Sequence, residues 1–347
     1  MVLPDAEDNG SLSKEGVLKK ETKMSIFIDC IEALKTFLVA YMTSIWRFFV
    51  SPPNKSVTGE IVLITGSGSG IGRQLALEFG KLGAVLVLWD IDEKANEETG
   101  NLMKKCDAKF HLFKCDVGIK EEVKKVGRRV KEEVGDVAIL INNAGIVSGT
   151  KLINTPDDMI EKVFRVNLLA HYWTVKFFMP TMIRKNHGHI VNIASSTGLV
   201  GINKLTEYCA SKFGVVGFTE VLSYELIFGG HDGVHTTLVC PSYVETGMFE
   251  GCKMRFPWIL PPLKVSYTVE KIMQAILTNQ QMICIPRSIY FFTFLKTILP
   301  VEAFHEIIKL FGAANFMDSF IGRQNSEIEE KTNGFHNGHE SHDTVKT

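Results

Sequence analysis

From Gly59 onward the chain alternates short aliphatic runs with longer stretches in which apolar residues recur every three or four positions. That alternation is the pattern of a parallel sheet wrapped by crossover helices. Seven runs read as strands: Ile61–Thr65, Val85–Trp89, Phe110–Cys115, Val137–Ile141, His189–Ala194, His235–Cys240 and Met282–Ile285. They are apolar almost end to end, as strands covered on both faces must be. The expected fold class is α/β: a single Rossmann-type, doubly wound, parallel seven-stranded sheet with helices on both faces, spanning residues 58–290.

The flanks follow other patterns. Residues 1–23 are polar, and an apolar stretch over residues 24–50 follows abruptly. Asp29, Glu32, Lys35 and Arg47 interrupt it, leaving 11 uncharged residues between the last two, where a simple spanning helix needs about 20 mostly apolar positions. Asp29, Glu32, Thr36, Thr43 and Arg47 recur at helical spacing opposite Ile28, Ile31, Leu34, Leu38, Tyr41, Ile45 and Phe49. An amphipathic helix results. It can lie in a membrane interface or pack on the chain's own core, and we favour the interface because the sheet pattern is complete without it. A second apolar region, 291–322, carries interspersed charges and suits either core or membrane. The polar tail 323–347 reads as disordered, and its His336, His339 and His342 are read as solvated rather than metal-binding.

Composition removes some classes of function. A formal net charge of -1 over 347 residues leaves no basic footprint for nucleic acid. The seven cysteines form no C-x-x-C pair, which fits reduced thiols on the cytosolic side of a membrane. No metal site is expected.

Candidate chemistry collects at strand ends. Directly after the first strand, Gly66-Ser67-Gly68-Ser69-Gly70-Ile71-Gly72 opens the predicted helix Ile71–Leu82. Glycines there let backbone N–H groups and a helix N-terminus approach a pyrophosphate. Asp90, 18 residues beyond Gly72, ends the second strand where an adenosine ribose would lie. Its carboxylate can accept from ribose hydroxyls and would repel a 2′-phosphate, so NAD is expected over NADP. Asp116 and the small residues of Asn143-Ala144-Gly145 end two further strands on the same crevice.

Tyr208 and Lys212 stand at i and i+4 on a predicted helix and so share a face. An ammonium beside a phenol favours phenolate, which would make Tyr208 a proton-transfer group. Thirteen residues upstream, Ser195 ends a strand where its hydroxyl can meet a reacting oxygen. Ser196 is its rival. Asn167, inside the helical stretch Met159–Met179, can hold a water that links Lys212 to solvent.

With these motifs in order, residues 58–290 resemble the short-chain dehydrogenase/reductase superfamily. The resemblance implies a tetrad: Asn167 positioning water, Ser195 orienting substrate, Tyr208 as acid and base, and Lys212 on the nicotinamide ribose. It also implies that Val244 and Thr246 contact the nicotinamide carboxamide. Where the family has Pro-Gly after the sixth strand, this chain has Pro241-Ser242. Helices near 157–186 and 206–228 resemble the pair through which the family forms homodimers.

Leu88-Trp89-Asp90-Ile91, the run Tyr208–Gly217 and the hydrophobic N-terminus are similar to a microsomal subgroup. That subgroup holds retinol dehydrogenase 10, epidermal retinol dehydrogenase 2 and the lipid-droplet 17-beta-hydroxysteroid dehydrogenases. The similarity implies an endoplasmic-reticulum or lipid-droplet surface and a lipophilic alcohol as substrate: retinoid, steroid or fatty alcohol. Met248 and Phe249, with Met254, Phe256, Trp258, Ile259 and Leu260, would form an apolar lid over it. An NADPH-dependent carbonyl reductase and a droplet-surface protein with a vestigial fold remain the alternatives.

Overall fold

The computed structural model describes residues 23–50, 52–105 and 107–322. The expectations for the N-terminal polar stretch before Lys23 and for the tail from Arg323 fall outside the described residues. The chain divides near Pro53 into two units. The first contributes one helix, α1 (Lys23–Phe49), of 27 residues, whose side chains from Ile26 to Trp46 are all exposed. Among the described residues no helix is long and apolar enough to cross a membrane.

The second unit is the doubly wound sheet. In chain order it runs β1 (Ile61–Thr65), α2 (Gly70–Lys81), β2 (Val85–Asp90), α3 (Glu93–Lys104), β3 (Phe110–Lys114), α4 (Lys120–Glu133) and β4 (Ile139–Asn142). It continues through α5 (Asp157–Phe164), α6 (Ala170–Lys185), β5 (Gly188–Ile193), α7 (Thr206–Phe228), β6 (Val234–Pro241), α8 (Val265–Leu277) and β7 (Met282–Ile285). Two helices, α9 (Ser288–Ile298) and α10 (Val301–Leu310), follow the sheet. All the strands pair in parallel, in the order β3-β2-β1-β4-β5-β6-β7.

The apolar runs earn this arrangement by burying both faces. Val62 and Ile64 pack with Leu75, Phe79 and Ile276 on one side. Leu63, between them, joins Val126, Val130, Phe178 and Leu226 on the other. All seven expected strands form, with ends shifted by up to two residues; β4 begins at Ile139 because Val137 and Ala138 belong to its approach. The expected helix Met159–Met179 is helical throughout, but residues Arg165–Leu169 between α5 and α6 widen it into a π-helical turn. The order of strands reverses between β1 and β4, and ligands of such sheets bind outside the carboxyl ends at that switch point.

Candidate active site

The glycine loop leaves β1 at the switch point and turns into α2. A Cβ built on Gly66 would lie 2.9 Å from Ala144 Cα, and one on Gly72 would lie 2.1 Å from Gly66 O. Only hydrogen fits at either place, so the loop stays flat and the start of α2 stays open to an anion. Asn143 clamps the far side: its Nδ2 donates to Thr65 O at 2.9 Å and Gly66 O at 3.1 Å. Ser67 is fully buried, and its hydroxyl donates to Trp89 O and pairs with Asn96 Oδ1. It shapes the loop from within rather than facing the crevice. Ser69 is the N-cap residue of α2, and Ile71 lies in its first turn, half-buried.

Asp90 accepts from the Gly68 N–H at 2.7 Å and from the Asp92 N–H at 2.9 Å. Two bonds leave a carboxylate further lone pairs for ribose hydroxyls. Asp116 closes the turn after β3 by accepting from the Gly118 N–H at 2.8 Å. Across the crevice, Val244 is buried, and Thr246 comes so near the loop that a Cβ on Gly70 would meet its Cβ at 3.1 Å. The expected dinucleotide residues other than Ser67 therefore gather around one crevice, and this glycine cradle with a carboxylate beside it fits an NAD-type cofactor.

Tyr208, Ser211 and Lys212 line the buried side of α7. The Ser195 hydroxyl accepts from the Thr197 N–H at 3.1 Å and is near enough to the Tyr208 phenol to pull its pKa downward. Ser196 lines the neighbouring cavity together with Ser195. Lys212 Nζ donates to Ile193 O at 2.9 Å and sits 5.7 Å from the Tyr208 ring centroid. Asn167 Oδ1 accepts from the Ile146 N–H at 2.8 Å and its Nδ2 donates to Ile146 O and Ser211 Oγ. Gly145 lies between these groups, its Cβ direction 3.5 Å from Asn167 Oδ1 and 3.7 Å from Lys212 Nζ.

One expectation is reversed by burial. Lys212 was to hold the Tyr208 phenol down, yet in this geometry desolvation pushes the phenol up, against a smaller downward pull from Ser195. Desolvation also brings Lys212 down to about 8. Removing a charge from water outweighs an ammonium that is already engaged by a backbone carbonyl.

Beside Ser195 opens a cavity, partly open to solvent, whose walls are mostly hydrocarbon. Phe249 lines it and stacks edge-on against Tyr208 with ring centroids 5.6 Å apart. Met254 and Leu260 line it too, whereas Met248 does not. The opposite wall comes from α9, α10 and the turns after them: Ile289, Phe292, Ile308, Phe311 and Phe316. Amphipathicity alone left that region open between core and membrane; the structure makes it a cavity wall. Also unforeseen were Glu207, buried with its carboxylate paired to the Ser148 hydroxyl, and His171, one helical turn beyond Asn167 and fully buried.

This geometry has many counterparts. Residues 60–254 match the family described as short chain dehydrogenase. Mouse epidermal retinol dehydrogenase 2 is 47% identical over 306 residues, covering 87% of this chain and 99% of that protein. Human retinol dehydrogenase 10 is 44% identical over 340 residues, covering 90% and 100%. Among solved structures, a short chain dehydrogenase/reductase from Burkholderia phymatum in complex with NAD superposes with a TM-score of 0.64 at 29% identity, covering 74% of this chain and 96% of that one. The chain belongs to the short chain dehydrogenase family. It is an NAD-dependent oxidoreductase that acts on the CH–OH group.

Proposed function

We propose that this enzyme oxidises a lipophilic alcohol at a membrane surface, with all-trans-retinol as the foremost substrate. The observation that carries the reading is the apolar cavity whose wall includes Ser195 and Phe249, the latter packed edge-on against Tyr208. Its walls suit a hydrocarbon chain or ring system far better than a polar metabolite. The retinol dehydrogenases among its relatives support the same class of substrate. Asp90 speaks against the NADPH-dependent reductase alternative, because a 2′-phosphate would meet its carboxylate.

In this reading the glycine loop, Asp90, Asp116, Asn143, Ala144, Gly145, Val244, Thr246 and Lys212 hold NAD. Bound NAD supplies the hydride acceptor for the alcohol carbon. Ser195 donates to the alcohol oxygen and holds it beside Tyr208. Tyr208 takes the hydroxyl proton as the carbonyl forms. Phenolate is disfavoured by the dry surroundings of the ring, so Lys212 must approach or lend its charge once the crevice is filled and its walls have closed. Asn167, fixed by Ile146 and Ser211, organises the outlet for that proton. The apolar walls exclude water, so the carbonyl product meets no competing nucleophile.

The test is turnover of NAD by membranes bearing the enzyme with retinol, 17-beta-hydroxysteroids and long-chain alcohols, in parallel with Tyr208→Phe. We expect retinol oxidation that falls at least about 100-fold in the variant, the usual weight of a general acid–base group. Steroid turnover without retinol turnover would move the substrate to the other branch of the subgroup. If NADH binds but no alcohol is oxidised, and Tyr208→Phe changes nothing, the fold serves as a surface protein instead.

A further inference from the structure

Behind Lys212, α6 and α7 face each other across β4 and β5 through a run of buried polar side chains. Asn167, His171 and Thr174 come from one side at i, i+4 and i+7, and Ser211, Lys212 and Thr219 from the other, all nearly or wholly buried. The inner rung is completely satisfied. Thr174 Oγ1 donates to Asn142 Oδ1 at 2.7 Å, Asn142 Nδ2 to Asn192 Oδ1 at 2.9 Å, and Asn192 Nδ2 to Thr219 Oγ1 at 2.9 Å. In the outer rung Asn167 Oδ1, Asn167 Nδ2 and Lys212 Nζ each have a partner as well.

His171 lies between the rungs and breaks the pattern. It is 1% exposed, its ring meets Phe218 edge-on at 6.4 Å, and neither Nδ1 nor Nε2 has a hydrogen-bond partner among the described residues. Burying one unpaired polar group is costly, and here there are two. A phenylalanine or leucine would fill the space without that penalty. The residue is within electrostatic reach of Lys212, whose ammonium adds to burial in holding the imidazole neutral, at about 3.

We propose that His171 is a proton-relay residue that serves Lys212 through internal water held at its two ring nitrogens. The proposal rests on the reading of Tyr208 and Lys212 given above. A neutral imidazole with one protonated and one bare nitrogen can pass a proton without ever becoming charged. The proton released by the alcohol reaches Tyr208, then Lys212, then a water that gives a proton to the bare ring nitrogen. The opposite nitrogen gives its proton to a second water, and the ring is left neutral in its other tautomer. No electron is moved: the first water is restored by the proton it takes from Lys212, the second passes its extra proton on to solvent, and a half-turn of the ring resets the tautomer for the next turnover. His171 acts through Lys212 and touches no reacting atom, so it is a positioning and relay group rather than a catalytic one.

Three full-length proteins in detergent, His171→Phe, His171→Gln and Tyr208→Phe, test it against wild type with all-trans-retinol and NAD. We expect His171→Phe to lower kcat about tenfold, below the usual weight of a primary acid–base group, and to change each KM less than twofold. Its solvent deuterium isotope effect on kcat should rise, and His171→Gln, which keeps a donor and an acceptor, should restore most of the rate. Nitrogen-15 spectra of the wild-type ring should show magnetisation exchange between both His171 ring nitrogens and water. Unchanged kcat and isotope effect in His171→Phe, equal losses in both His171 variants that track thermal stability, or a dry ring would each overturn the relay. If wild type leaves retinol untouched or Tyr208→Phe is fully active, the functional reading fails separately, and the ring spectrum still decides whether His171 holds water.

Discussion

At the scale of single residues the site is governed by desolvation. Lys212 is almost wholly buried and its amine is brought down to about 8 from 10.5. A folded-state value below the unfolded one means that folding disfavours the charged form. The cost is fully present below pH 8 and fades as the pH rises toward 10.5. About 2.5 units correspond to roughly 3 kcal/mol at neutral pH. Lys212→Met removes that cost but leaves Ile193 O without its donor, a loss of about 1–3 kcal/mol. The net stability at one pH is therefore a poor readout, and its change with pH is a sharp one. Denaturation of cofactor-free protein should show wild type gaining about 2–3 kcal/mol on Lys212→Met between pH 7 and pH 10. A difference that stays constant over that range would mean that the amine is not desolvated. The identities of Tyr208, Lys212, Ser195 and Asn167 were legible in the sequence because the fold brings successive strand ends together, so order and spacing stand in for distance. The direction of the Tyr208 shift was not legible, because an i, i+4 pair says nothing about how much water surrounds it.

At the scale of elements, the cavity depends on how the C-terminal segment is fastened to the lid. Ile321 N–H donates to Glu250 O at 2.9 Å, Lys204 pairs with Asp318 at 2.7 Å, and Asn203 Nδ2 donates to Ala314 O at 2.8 Å. The lid turn reaches this segment at Gly251, with φ of +84° and a Cβ direction 2.0 Å from Ser319 O. Gly251→Ala thus brings both backbone strain and a collision with backbone, and the segment must shift away from the lid. The sheet, whose strands lie elsewhere, is untouched. We expect faster proteolysis after residue 300 and a several-fold higher KM for retinol, with NADH binding unchanged. An unaltered KM would show that the segment does not shape the cavity. Here the sequence was silent for a physical reason. Apolar helices such as α9 and α10 look alike whether their partner is a cavity, a core or a lipid, and the π-helical turn that presents Asn167 lies in Arg-Val-Asn-Leu-Leu, which carries no helix-breaking residue.

At the scale of the whole molecule, the unit ending near Pro53 raises the question of how the proposed membrane contact would be made. At about 1.5 Å per residue, the 27-residue α1 is about 40 Å long, more than the 30 Å hydrocarbon core requires. Length therefore does not prevent it from spanning; charge does. Asp29, Glu32 and Lys35 fall within two turns of each other, and each charge placed near the bilayer centre costs about 2.5–3.5 kcal/mol. Lying in the interface avoids that cost, keeps the charges in the headgroups and sinks Ile28, Ile31, Leu34, Leu38, Tyr41 and Ile45 among acyl chains. The two arrangements separate under alkaline carbonate, which strips interfacial proteins and leaves spanning ones in the pellet. The full chain should pellet with membranes at neutral pH and be released by carbonate. Replacing Asp29, Glu32 and Lys35 together by leucine should leave it in the pellet after carbonate, because the helix then has an uncharged stretch over residues 24–46 long enough to insert. Release of both proteins alike, or retention of both, would show that these charges do not set how α1 meets the bilayer.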